Sequence, residues 1–320
     1  MSNGAETETA LAGALTARRA WREIAEARVR LLNSAENLTF LAEGEAGRFV
    51  MRRHRVGYHS RAAIESELAW STALSAESAL STPVPARGAD GAFVQEIDGV
   101  YWTLLRYIEG AEPVAGDDLA PWFRRLGAMA AETHAHSLGW ARPEGFVRLT
   151  WDLDAVVGPA PIWGAWREGP NVGAAEAAII GAAEARMREE LEAYGAGEGR
   201  FGLIHADMRL ANLLIHEGDL RLIDFDDCGF GWLMYDFAAA VSFMETDPRV
   251  PALKAAWLEG YAAVRTLSDA DVAIVDALVM FRRLALLGWI GTRMEAREPQ
   301  ALAPHFAAGS AALAAAYLES

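Results

Sequence analysis

The chain has a single cysteine, Cys228, so no disulfide can form within it. This excludes a disulfide-stapled scaffold and fits a reducing compartment. Basic residues are also scarce: 29 Lys and Arg stand against 44 Asp and Glu, giving a net charge of −15. A nucleic-acid binder needs basic stripes that displace counterions, and an anionic membrane surface makes the same demand. Neither partner is expected. The opening stretch "MSNGAETETALAGALTARRAW" lacks the basic start and apolar core of a signal peptide. Arg282, Arg283 and Arg293 interrupt the apolar runs near the C-terminus before they reach membrane-spanning length. Together these absences lead us to expect a soluble, cytoplasmic protein.

What is present is ample core material, with 52% hydrophobic residues in 320. That suffices for one large domain or two smaller ones. Residues 11–32 are rich in Ala, Arg, Leu and Glu and read as a helix. "ENLTFLAEGEAGRFVMRRH" reads as two strands around a "GEAG" turn. Ser60 is placed to cap a helix over "RAAIESELAWSTAL", with Ile64, Leu68 and Ser71 on one face. Pro and Gly punctuate short strands up to "LLRYIEG". Beyond Gly110 the character turns helical, over "DDLAPWFRRLGAMAAETHAH", over 174–193 and from Tyr235 onward. The strand-like segments "FGLIHAD" and "LRLIDFDD" interrupt it. A boundary near 107–113 divides an N-terminal part, 1–108, from a C-terminal part, 109–320.

The chemistry concentrates in "HADMRLANLLIHEGDLRLIDFDD", His205 to Asp227. A carboxylate is costly to bury unless something pairs with it, so Asp207, Asp224, Asp226 and Asp227 ask for partners. The order His205, Asp207, Asn212 has the spacing of a kinase catalytic loop, with Ala206 in place of Arg, and Asp224-Phe225 follows the next strand. Transfer of a phosphoryl group from ATP concentrates negative charge that Mg²⁺ neutralises, and Mg²⁺ takes hard oxygen ligands. Asn212 and Asp224 supply such oxygens. Asp207 is the residue that orients the incoming hydroxyl and accepts its proton. "LLIHEGDLRLI" reads as a hairpin whose open end carries the two metal ligands.

In these residues, and in "YDFA" around Asp236, the chain resembles the aminoglycoside phosphotransferase, choline kinase and homoserine kinase group. The resemblance runs over roughly residues 34–259. It implies an α+β, two-lobed protein-kinase-like fold, with a small β-rich lobe and a larger, mainly helical one. Asp236 would then prop the catalytic loop. "FVMR" falls on the strand that carries a phosphate-contacting Lys in kinases, which places Arg52 there and makes Glu67 its expected partner. An Arg is planar where Lys is a point charge, so the phosphate contact differs. Arg209, two residues after Asp207, would clamp the transferring phosphoryl group. The backbone from Leu105 to Tyr107 would meet the adenine. The glycine-rich loop of protein kinases has no counterpart before "RFVMR", which favours a small-molecule acceptor.

Other readings remain open for individual residues. His205 is expected to be structural, and His134 and His136 to serve packing and hydrogen bonding rather than metal binding. Asp226 is either a solvated turn residue or a neighbour of the metal site, and Asp227 a bystander. Trp289 is expected in the core and Arg293 on the surface. As function, a kinase acting on a small hydroxyl compound such as an amino alcohol, aminoglycoside or hydroxy amino acid leads. A stress-response-type Ser/Thr kinase of the same fold, a D-x-D glycosyltransferase and an inactive nucleotide-binding module are the alternatives. The acceptor is expected against helices within 117–194 and 257–293. Acceptor identity and oligomeric state stay open.

Overall fold

The computed structural model describes residues 2–34, 37–114 and 116–320, with side chains from Glu8 onward. Glu36, the first residue of the expected strand pair, lies outside them. The chain divides into two compact units: residues 1–110 with 141–148 and 221–226, and residues 111–140 with 149–220 and 227–320.

The first unit begins with α1 (Ser2–Ala17), followed by two short 3₁₀ turns that end at Ile24. The single helix expected over 11–32 is therefore overturned. Arg28–Ser34 is a strand, β1, antiparallel to β2 (Leu38–Gly44). Helix-forming composition masked a short alternation: Val29 is buried between exposed Arg28 and Arg30. β2 turns through Glu45 and Ala46 into β3 (Gly47–Arg53). Gly47 takes φ +108° there, a conformation that side-chain-bearing residues avoid. α2 (Arg61–Glu77) follows, with the Ser60 hydroxyl accepting from the Ala63 amide at 3.2 Å. β4 (Gln95–Ile97) and β5 (Val100–Arg106) complete an antiparallel sheet of order β1-β2-β3-β5-β4.

Alternation along β3 decides what each face of this sheet holds. Phe49 and Met51 join Phe40, Trp102 and Leu104 in a cluster closed by Ala14 and Ala17 of α1 and by Trp21. Val50 packs on the opposite cluster, with Ile64 and Leu68 of α2. Arg52 shares the Val50 face, so the sheet carries a buried guanidinium into the α2 side.

The second unit contains α3 (Ala120–Gly139), β6 (Leu149–Trp151), α4 (Leu153–Val157), α5 (Ala174–Tyr194) and β7 (Phe201–Ile204). β8 (Leu213–His216) turns at Glu217-Gly218, both at positive φ, into β9 (Asp219–Leu222), whose last two residues belong to the first unit. β10 (Gly229–Trp232) lies between β6, parallel, and β7, antiparallel. Then follow α6 (Tyr235–Ala240), α7 (Val250–Ala262), α8 (Asp269–Ala273), α9 (Val275–Thr292) and α10 (Arg297–Glu319). α3 and α7 cross closely. A Cβ on Gly260 would sit 1.8 Å from the Arg124 carbonyl oxygen, and one on Gly127 2.0 Å from that of Trp257.

α9 is the core element of this unit, buried at almost every position from Val275 to Ile290. It includes Arg282 and Arg283, whose charges demand partners at that depth. α10 is long and apolar enough to cross a membrane by length and composition. It contains Pro304, and Phe306, Ala307, Ala314 and Tyr317 on it are buried.

Candidate active site

Two polar clusters carry the residues singled out in the sequence, one in each unit. In the first, Arg52 is 6% exposed and holds three carboxylates. Its Nη1 donates to Glu67 Oε1 at 2.8 Å and lies 3.6 Å from Asp226 Oδ1, while Nη2 donates to Asp224 Oδ1 at 2.9 Å. The expected pairing of Arg52 with Glu67 is thus present, and Glu65 instead faces Arg61 on the surface. Burial opposes the Arg52 charge, but Asp224, Glu67 and Asp226 outweigh it and fix the guanidinium as a cation. Burial also pushes the Glu67 carboxyl up to about 7, against the pull of Arg52.

Asp226 is buried, so its reading as a solvated turn is overturned. Its main-chain oxygen meets His59 Nε2 at 2.8 Å and accepts from Arg148, which also donates to the Ala63 carbonyl at 2.9 Å. Its carboxylate stands 3.8 Å from both His54 and His59. Burial opposes the Asp226 charge, and the Arg52 guanidinium turns the balance, holding the carboxyl below its usual range. Burial in turn pushes His54 down to about 3 and lowers His59. Phe225 anchors the segment edge-on against Trp70 at 5.5 Å. Between these anchors Asp224 sits at φ +63°, a strained conformation for a non-glycine residue, with its side chain 43% exposed.

The main chain of residues 105–107, expected to meet the adenine, has some of its groups engaged within the first unit. Leu105 pairs with Val50 in β3 and bridges to Pro85, and the Tyr107 amide donates to the Arg48 carbonyl at 3.2 Å. Those contacts engage part of that backbone.

The second cluster surrounds the loop after β7. Asp236, fully buried on α6, accepts from the Ala206 amide at 2.7 Å, the His205 amide at 3.2 Å and His134 Nε2 at 2.9 Å. It props the loop as expected, and Ala206 takes φ +64° there. His205 is buried and its Nδ1 accepts from the Asp207 amide at 3.2 Å; His134 also meets Tyr261 at 3.0 Å. His136 stacks on Trp140.

Asp207 is held at both carboxylate oxygens. Asn212 Nδ2 donates to Oδ2 at 2.6 Å and to the Asp207 carbonyl at 2.9 Å. Arg282 Nη2 donates to Oδ1 at 2.7 Å. Arg209 stands at 3.4 Å from Oδ2, but its Nη1 is tied to Glu298 Oε1 at 3.0 Å and its guanidinium lies 5.8 Å from the Phe243 ring. Phe243 is itself at φ +68°.

Two expectations fail here. Arg293 is 4% exposed, not a surface residue, and lies against the Trp163 and Trp289 rings. Asp227 is buried, and its carbonyl accepts from Trp151 Nε1 at 2.8 Å, so it is no bystander.

Each of the two expected ligands, taken within its own unit, keeps an oxygen that a hard cation could use. Asn212 spends its amide nitrogen on Asp207, leaving the oxygen. Asp224 spends Oδ1 on Arg52, leaving the second carboxylate oxygen. Among the described residues no group of three His, Cys, Asp or Glu could hold a metal alone. Mg²⁺ bound through one or two protein ligands and substrate phosphates has this requirement.

Sequence reasoning missed Arg282, His54, His59, Arg148, Glu298 and Phe243. Only Arg282 left a signal, as one of two adjacent arginines inside an otherwise apolar helix. Lys254, the only lysine in the chain, pairs with Asp276 and leaves Arg52 to fill the cationic strand position.

A five-stranded sheet with a buried strand Arg–helix Glu pair, and a propped His-x-Asp-x-x-x-x-Asn loop among helices, define a phosphotransferase of the protein-kinase-like class. Residues 28–267 match the model of the phosphotransferase enzyme family, and the chain belongs to that family. A solved microcompartment-associated aminopropanol kinase is 41% identical, with a TM-score of 0.89 over 96% of this chain and 97% of that one. An amicoumacin kinase, solved in complex with AMP-PNP, Ca²⁺ and Ami, shares the fold at 19% identity and TM-score 0.76, over 93% of this chain and 92% of that one. The homoserine kinase of Gluconobacter oxydans is 34% identical over 104 residues, 30% of this chain and 33% of that protein. The chain is a kinase acting on a hydroxyl acceptor.

Proposed function

We propose that the protein transfers the γ-phosphoryl group of ATP to the hydroxyl of a small amino alcohol. The observation that carries this reading is the double grip on Asp207, with Asn212 on one oxygen and Arg282 on the other. A carboxylate fixed in this way on a strained, propped loop is preorganised to orient a hydroxyl and take its proton as the new O–P bond forms. The amino-alcohol class rests on the likeness to the aminopropanol kinase.

Asn212 and Asp224 would hold a divalent cation, which would supply neutralisation of phosphate charge alongside the nucleotide. Arg52, fixed as a cation by its carboxylates, is the phosphate-facing group of the first unit. Loss of Nη2 from Asp224 to a nucleotide phosphate would free that carboxylate for the metal. Arg209 stays a candidate for the transferring phosphoryl group, restrained by Glu298.

ADP release measured across a panel of small amino alcohols, homoserine and aminoglycosides tests the reading. The expected result is turnover with an amino alcohol that is lost in Asp207→Asn. Turnover with none of them, or full turnover in that variant, contradicts it.

A further inference from the structure

We infer that Arg282 is a positioning residue for phosphoryl transfer, acting through Asp207 from a helix 75 residues further along the chain. The inference rests on the reading of Asp207 as the group that meets the acceptor hydroxyl. A structural arginine would need only to satisfy its own charge. Arg282 does more, because its donors converge on the one loop. Nη2 holds Asp207 Oδ1 at 2.7 Å, and Nη1 lies 3.2 Å from the carbonyl oxygen of Ala206. Ala206 is the loop residue at φ +64°. One planar guanidinium therefore restrains the strained main chain and the reactive side chain together.

The arginine is itself immobilised. Nε donates to Ser242 Oγ at 2.9 Å, and Nη1 also reaches Tyr235 Oη at 3.2 Å. The guanidinium carbon stands 5.0 Å from the Trp163 ring. At 1% exposure no water competes for these donors. A planar fork has less freedom to lose than an ammonium, and only a fork spans Asp207, Ala206, Tyr235 and Ser242 at once.

The geometry also shows what Arg282 prevents. Arg209 stands 3.4 Å from Asp207 Oδ2, on the side opposite the Arg282 grip. Without Arg282, the carboxylate keeps Asn212 and Arg209 on Oδ2 alone. It is then free to turn about its Cβ–Cγ bond, and Oδ1 loses its fixed direction. A displacement of about 1 Å at a reacting group costs on the order of 100-fold in rate. The loss falls on the chemical step, because Arg282 reaches substrate only through Asp207.

The test is a double-variant cycle on kcat, with KM for both substrates and thermal unfolding recorded for every protein. Arg282→Met is expected to lower kcat about 100-fold, with each KM within about threefold of the parent. Arg282→Lys keeps the charge without the fork and is expected to lose about tenfold, by the same argument at smaller displacement. In an Asp207→Asn background, whose residual turnover is measured by radiolabelled phosphate, neither change should lower kcat further. Should Arg282→Met not fold, the Lys variant carries the same comparison. Equal losses in both backgrounds would show that Arg282 acts on the fold and not through Asp207, overturning the inference. So would a loss confined to KM. Full turnover in Asp207→Asn alone would instead overturn the reading of Asp207 itself.

Discussion

Each unit of this kinase is organised around a buried arginine, and the two arginines serve opposite ends. Arg52 gathers three carboxylates, Glu67, Asp224 and Asp226, of which two are buried with it. Arg282 gathers one carboxylate, Asp207, and otherwise neutral oxygens from Ala206, Tyr235 and Ser242. The first cluster sets three carboxylates against the Arg52 cation. In the second, Arg282 directs a single carboxylate, Asp207. Buried charge of the first kind governs stability once a partner is lost, whereas a fixed direction governs rate.

Substitutions that keep side-chain volume while removing one charge separate the two most sharply. Asp207→Asn preserves volume and keeps an acceptor oxygen for Arg282, so it is expected to lower kcat about 1,000-fold while costing the fold less than loss of Arg52 does. Arg52→Met should do the reverse to the fold. It leaves Glu67 and Asp226 buried without their cation, at a cost of about 3–5 kcal/mol, read from urea unfolding. A smaller loss than that of a surface arginine control would erase the contrast between the clusters.

Acid pH provides a third, weaker lever on the first cluster alone. His54 is pushed down to about 3 from an ordinary 6.5, and His59 is lowered too, both mainly by burial. Each takes up its proton less readily when folded than when unfolded, where both titrate near 6.5. Folding stability that is present above pH 6.5 is therefore lost progressively as pH falls from 6.5 toward 3. Urea unfolding between pH 7 and 5 should show this decline, and His54→Gln should flatten it. An unchanged slope in that variant would remove His54 from the account. The smallest effect is expected at Arg209, whose ion pair with Glu298 is part-exposed. Glu298→Gln should alter stability by less than about 1 kcal/mol and kcat only a few-fold, measured side by side.

The same contrast explains what was legible in the sequence. The first cluster lies on elements with local signatures. Two-residue alternation puts Arg52 on the inward face of β3, and helical spacing puts Glu67 beside Ile64 and Leu68. The Asp207–Asn212 spacing and Asp224-Phe225 are likewise readable within one short stretch. The grip of Arg282 is not, because 75 residues separate it from Asp207 and packing alone brings them together. The clue was thermodynamic: an arginine in the apolar core of a helix must have a partner, but its identity is a tertiary fact. Asp226 and Asp227 were underestimated because adjacent carboxylates usually mean a solvated turn, and the histidines that cover Asp226 carry no motif. The Ala- and Arg-rich start misled in the opposite direction, since its composition favours helix while Val29 and Leu31 follow strand alternation.

The central claim is transfer of a phosphoryl group from ATP to the hydroxyl of a small amino alcohol. Phosphorus NMR of the product formed from ATP, Mg²⁺ and 1-amino-2-propanol tests it most directly. The account predicts one new phosphate monoester on the acceptor oxygen, with the amine free, formed by the parent protein and not by Asp207→Asn. A phosphoramidate on the amine, ADP formed without any phosphorylated acceptor, or the same product from the variant would contradict it.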